Sequence, residues 1–356
     1  MPGNYLPIFE VTRGNIVESI HFGAVAVVDS SGRLLAWYGN PKTVTFLRSS
    51  AKPLQVLPFI EHGGDQFFHL TSTEIALMCA SHDGTDKHVE VVMGIQAKVG
   101  VQESDLLCGS HPLSHQPTVE AMRQRNEVPT PNRHNCSGKH TGMLAYARMR
   151  GLPISDYVNP QHPVQQTILE TFSEMCALPM TQIELGTDGC SAPNFAIPLQ
   201  NTACAVALLC DPRNLSAERA AACRRITQSM MAHPDMVGGP GRFDTRLMEV
   251  CNGRIIAKGG AEGFQIIGIM PGVLGAGSPG IGIAIKISDG DADSRSRTDP
   301  SSRVRPAVSL EILNQIGVLS KKDLAALPEF GPVKKVTNWR KLVVGQTRPA
   351  FTLERE

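Results

Sequence analysis

Ser49 and Lys52 stand three residues apart in Arg48-Ser49-Ser-Ala-Lys52-Pro53, and no other serine in the chain is followed by lysine at that spacing. On a helix this spacing puts both side chains on one face, one turn apart, where an amine can reach a hydroxyl. A serine is a poor nucleophile until a base takes its proton. A lysine can be that base only where burial or a neighbouring cation lowers its pKa from about 10.4. Ala51 and Leu54 supply apolar surroundings, and Pro53 suits a first helical turn. The alternative is a capping serine followed by a surface lysine.

Three further clusters hold groups able to do chemistry. Cys79-Ala-Ser81-His82-Asp83-Gly84 places four kinds of polar residue at the end of an apolar run, against the alternative of an ordinary turn closed by Asp83 and Gly84. Asn132-Arg-His-Asn-Cys136-Ser-Gly-Lys139-His140-Thr-Gly142 leads into a helix. Its Gly-Lys-His-Thr portion is not a phosphate loop, because arginine stands at 133 where that motif needs glycine. Together with Asp188-Gly-Cys190-Ser-Ala-Pro-Asn194, it suggests metal ligation or polar contacts to a substrate. Lys258-Gly-Gly-Ala-Glu-Gly263 is a glycine-rich corner where backbone can approach a ligand closely, or else a tight hairpin turn.

The elements that must position these groups follow from periodicity. Gly23–Asp29 and Leu34–Tyr38 read as strands joined by Ser30-Ser31-Gly32, opening an N-terminal meander. Residues 50–62 have helical spacing and stop at Gly63-Gly64, with Ser49 at the helix start. Thr71 and Glu74 have the capping-box spacing before an apolar helix over 75–80. Further helices are predicted at 86–99, 118–124, 139–149, 163–176 and 216–231. Strands return at 254–258, 264–270 and 281–287, before a helix near 310–316 and a strand around 341–344. Residues 289–305 are almost devoid of apolar side chains and read as an exposed, mobile loop. With no strand–helix alternation, the pattern favours an antiparallel α+β fold.

Composition narrows the classes. Apolar residues make up 42% and charged residues 19%, the balance of a folded globular chain. A formal net charge of +1 without a long basic run provides no footprint for nucleic acid. Polar residues interrupt the N-terminus, and no apolar stretch could span a bilayer, so neither an export signal nor a membrane role is expected and a cytoplasmic location is. In that setting the nine cysteines read as buried thiols or ligands and not as a disulfide framework.

Taken in order and over nearly the whole chain, the Ser49/Lys52, Cys79–His82, His134–His140, Thr187–Cys190 and Lys258–Gly263 segments resemble the rhizobial-type, or class 3, L-asparaginases. The resemblance implies a fold related to serine β-lactamases and penicillin-binding proteins, an antiparallel sheet flanked by helices with a mostly helical middle region. It implies one domain over 1–356 with a mobile loop at about 289–306. It further implies two serine–lysine tandems, Ser49 with Lys52 and Ser81 with Lys258, and Zn2+ on Cys136, Lys139 and Cys190. Arg48 would take the α-carboxylate of asparagine and Asp188 its α-ammonium, with His140 as a third substrate contact. The expected reaction is hydrolysis of the asparagine side-chain amide to aspartate and ammonia by a homodimer. Glutaminase or β-lactamase-like amide hydrolysis is the alternative chemistry. A non-catalytic protein binding zinc or an amino acid is the alternative class.

Overall fold

The computed structural model describes residues 4–291 and 303–356. Its strands are β1 (Leu6–Arg13), β2 (Ile16–Asp29), β3 (Leu34–Tyr38), β4 (Val44–Phe46), β5 (Glu184–Thr187), β6 (Pro193–Pro198), β7 (Ile255–Gly260), β8 (Phe264–Ile269), β9 (Ile281–Ile287), β10 (Lys334–Thr337), β11 (Val343–Pro349) and β12 (Glu354–Arg355). The main sheet runs β10-β11-β1-β2-β9-β8-β7, with β3 also on β2 and β12 on β3. A small sheet, β4-β6-β5, stands apart from it. Neighbouring strands are antiparallel, so the expected α+β architecture is present, with the middle of the chain helical as read.

Strands β7, β8 and β9 are buried along their whole length and carry Ile, Ala and Gly with few polar breaks, the composition of strands covered on both faces. Helix Leu199–Cys210 packs across β9, β2 and β8. That helix escaped the periodicity reading because Leu-Gln-Asn-Thr-Ala-Cys-Ala-Val-Ala-Leu-Leu-Cys has almost no polar face. Helix Phe243–Cys251 and strands β1, β4, β5, β6 and β10 were also not read from sequence.

Two boundaries differ from expectation. Ser49 lies in a 3-10 turn, Arg48–Ala51, and the α-helix begins only at Lys52. The segment read as an exposed loop is partly core: Asp291, Val304 and Arg305 are buried and a helix, Arg305–Gln315, begins where the loop was expected to continue. Asp291 accepts hydrogen bonds from the amides of Val304 and Arg305, both at 2.8 Å, which joins the two described ends. The rest of that expected loop, residues 292–302, lies outside the described residues.

The capping box at Thr71 forms as predicted: the Thr71 amide donates to Glu74 at 2.7 Å and the Glu74 amide to the Thr71 hydroxyl at 3.3 Å. Helix Ser72–Met78 then meets helix Ser137–Met149 backbone to backbone. A Cβ on Gly138 would fall 2.3 Å from the Leu77 carbonyl oxygen, so only glycine allows this approach. The contact is what brings the Cys136–Lys139 segment alongside Ser81. Gly138→Ala is expected to cost about 3 kcal/mol and to lower activity by parting the two helices, read as a reduced urea midpoint and reduced turnover together.

Candidate active site

The serine turn is held between two strands. Leu47 donates its amide to Phe195 of β6 at 3.0 Å, and the Ser50 hydroxyl donates to the Lys258 carbonyl of β7 at 2.9 Å. Arg48 adopts a left-handed φ of +52°, a conformation that costs a non-glycine residue about 1–3 kcal/mol. Its amide is fixed by the Asn194 side chain at 3.0 Å, which holds the turn in that shape. Ser49 is half-buried, and its hydroxyl makes no hydrogen bond among the described residues.

The two lysines converge on the other serine. Ser81 Oγ lies 2.9 Å from Lys52 Nζ and 2.9 Å from Lys258 Nζ. Lys52 Nζ also donates to the carbonyls of Ala80 and, at 3.3 Å, Asn135. Lys258 Nζ donates to the Gly259 carbonyl at 2.6 Å. Both lysines are only 1% exposed, so their amines have left bulk water for a small set of acceptors. Burial lowers Lys258 to about 7, opposed by the Asp244 carboxylate and reinforced by Lys52, Arg242 and Arg305. His82, beside Ser81, is held well below the usual imidazole range by burial and lies 2.9 Å from the Ser137 hydroxyl through Nε2.

Cys136, Lys139 and Cys190 also come together, all buried. Lys139 Nζ lies 2.9 Å from Cys190 Sγ. A hydrogen bond from Cys190 holds Cys136 well below the usual thiol range, and the same bond holds Cys190 above it. Burial pulls Lys139 down, but the two sulfurs outweigh it and raise its pKa. Two sulfurs and an amine are a donor set that suits zinc, provided the amine gives up its proton. Among the described residues, no three of His, Cys, Asp or Glu gather at metal-binding distance, so a site here needs the lysine as a donor.

Arg48 Nε donates to Asp188 Oδ1 at 2.8 Å, and Glu262 approaches Arg48 at 3.9 Å. Among the described residues, His140 bonds to none of these charged groups. It is fully buried, with Nδ1 2.7 Å from the Tyr157 hydroxyl and Nε2 lacking a partner among the described residues. Asn194, Asn135, Arg242, Asp244 and Arg305 belong to the neighbourhood, yet nothing in their sequence context separates them from ordinary turn and helix-start residues.

Among known proteins, the sequence matches the family described as L-asparaginase II over residues 9–349. No curated protein matches it. Of solved structures, a probable glutaminase from Bacillus subtilis complexed with 6-diazo-5-oxo-L-norleucine is 10% identical with a TM-score of 0.38, the alignment covering 83% of this chain and 84% of that one. Mglu in its native form is 11% identical with a TM-score of 0.43, over 83% and 64% of the two chains. A Bacillus glutaminase in the presence of 4.3 M NaCl is 10% identical with a TM-score of 0.37, over 83% and 91%. The assignment therefore rests on the sequence match, and since that match runs from Phe9 to Pro349, the chain belongs to the L-asparaginase II family of amidohydrolases.

Proposed function

We propose that this L-asparaginase works through an acyl-enzyme on Ser49, with one proton passed between two buried amines by Ser81. The observation that carries the reading is the placement of Ser81 Oγ at 2.9 Å from the Nζ atoms of both Lys52 and Lys258. A neutral Lys258 accepts the Ser81 proton while Ser81 takes one from Lys52, which frees Lys52 to receive the proton of Ser49. Ser49 Oγ then attacks the side-chain amide carbon of asparagine. The relay runs backwards to protonate the departing nitrogen, ammonia leaves, and a β-aspartyl ester remains. Water hydrolyses the ester to aspartate by the same proton path.

The Arg48–Asp188 pair offers opposite charges to the α-carboxylate and α-ammonium of an amino acid, so a zwitterion can replace each partner of the pair with its own group. His140, with its Nε2 unpartnered among the described residues, would be the third substrate contact. Cys136, Lys139 and Cys190 would hold Zn2+, which when bound supplies a Lewis-acidic point for placing the substrate. The working form is taken to be a cytoplasmic homodimer. Among the described residues, no helix is long and apolar enough to cross a membrane.

Ammonia release from asparagine and from glutamine by the purified protein tests the activity, and no release from asparagine would end the reading. The metal assignment has its own test. Wild type should bind stoichiometric zinc by atomic absorption and gain thermal stability from it. Cys190→Ser should lose both, and zinc should leave the wild type as pH falls, because all three donors must be deprotonated. Equal zinc content in the two proteins would remove these ligands from the site.

A further inference from the structure

Residues 237–245, Val-Gly-Gly-Pro-Gly-Arg-Phe-Asp-Thr, carry no recognised motif, yet they touch both halves of the second tandem. On the serine side, the Val237 carbonyl accepts the Ser81 amide at 3.0 Å, and Arg242 Nη1 donates to Asp83 Oδ1 at 2.7 Å. Gly239, at φ +130°, lies so close to Asp83 that a Cβ there would fall 2.4 Å from Oδ2. On the lysine side, Asp244 is buried and accepts the Gly259 amide at 2.6 Å through Oδ2 and the Gln265 side chain at 3.0 Å through Oδ1. Gly259 in turn offers its carbonyl to Lys258 Nζ. The Thr245 hydroxyl ties the segment to itself, accepting from the Gly239 amide at 3.2 Å and donating to the Pro234 carbonyl at 3.0 Å.

We infer that Asp244 is a positioning residue of the reaction, and that the 237–245 segment is a clamp that holds the Lys258 amine against Ser81. The inference rests on the acyl-enzyme reading above. The chain of contacts is continuous: Asp244 fixes the Gly259 peptide, Gly259 fixes the amine, and Arg242 with Val237 fixes the turn that carries Ser81. The two ends of the clamp also bear opposite charges toward Lys258. Among the described residues, Lys52, Cys79, Arg242, Asp244 and Arg305 act on that amine or are acted on by it, and of these five Asp244 is the acid. By sign, Asp244 favours the cationic amine and Arg242 the neutral one.

The test compares Asp244→Asn and Arg242→Gln with wild type. The pH dependence of kcat/KM and the 13Cε titration of Lys258 in lysine-labelled protein, assigned through Lys258→Met, are measured together. Asp244→Asn should move the Lys258 titration and the acid limb of kcat/KM down by about one pH unit, and Arg242→Gln should move both up. In Asp244→Asn, kcat should also fall about tenfold or more at the pH optimum, with KM little changed, because a loosened amine meets Ser81 less often. Removing the Asp244 charge shifts the titration by itself, so the mark of positioning is a fall in kcat that persists above about pH 8, where Lys258 is neutral in both proteins, with KM and thermal midpoint little changed. Should Asp244→Asn fail to fold, Arg242→Gln alone decides, since its upward shift is expected whatever the fate of the other variant. Folded variants with an unmoved Lys258 titration, or with shifts of the same sign, would overturn the inference. Because the titration needs no turnover, it stands apart from the asparaginase assay: a wild type that releases no ammonia would sink the acyl-enzyme reading and leave the clamp measurement interpretable.

Discussion

Replacing Ser49 by alanine is expected to lower asparagine turnover by about 10^4-fold or more, the scale on which loss of a nucleophile is felt when its partners act as a unit. We propose attack by this serine from the contrast between the two hydroxyls. Its hydroxyl is uncommitted, on a turn held in a left-handed conformation at Arg48, whereas the Ser81 hydroxyl is already engaged by two amines. An oxygen held as both donor and acceptor is suited to passing a proton. Ser81→Ala should therefore cost less, about 10^2- to 10^3-fold, the range of a lost acid–base step. The double variant should be little worse than Ser49→Ala alone, because a relay has nothing to serve once the nucleophile is gone. The decisive measurement is intact-protein mass spectrometry of quenched reactions. A β-aspartyl adduct on Ser49 is expected, more abundant where deacylation is slowed in Ser81→Ala. An adduct that survives in Ser49→Ala and vanishes in Ser81→Ala would exchange the two roles.

What could be read from sequence divides along a physical line. Local signals were legible: the capping box at Thr71, the hairpin strands from Gly23 and Leu34, and helix 86–99 all depend on residues a few positions apart. The helix carrying Ser49 and Lys52 was legible for the same reason, although it starts two residues later than read and Lys52 Nζ bonds to Ala80, Ser81 and Asn135 and not to Ser49. The Ser81–Lys258 contact joins residues 177 apart and entered only through family resemblance, since no spacing rule reaches that far. Asp244 was invisible for a different reason. An acid in the first turn of helix Phe243–Cys251 looks like ordinary dipole complementation, and only the coordinates show it turned inward to the Gly259 amide. At the two described ends of the 289–305 stretch the reading failed in the opposite direction: Asp and Arg read as solvent-facing, but Asp291 caps two amides and Arg305 donates to the Gly260 carbonyl at 2.9 Å and the Phe264 carbonyl at 3.2 Å. Composition reports the polarity of a side chain and not whether the fold supplies it with partners.

Lys258→Met should lower kcat/KM by about 10^2- to 10^4-fold and erase its dependence on pH near neutrality. The sign follows from the direction of the shift. Burial leaves the Lys258 amine titrating at about 7, so the protonated form dominates below that pH and the neutral form, able to accept from Ser81, above it. Wild-type kcat/KM should rise tenfold per pH unit on the acid side and level off above about pH 7 if this amine is the last base in the relay. Lys258→Arg should be no better than methionine, because a guanidinium keeps its proton at every accessible pH and cannot take one from a hydroxyl. That outcome separates proton transfer from charge: were Lys258 needed only as a cation beside Ser81, arginine would restore much of the activity and methionine none. Either substitution leaves Asp244 facing Arg305, so the carboxylate retains a cation and the fold should hold, which the thermal midpoints of both variants will show. An acid limb that persists in Lys258→Met with its midpoint unmoved would place the titrating base elsewhere in the site.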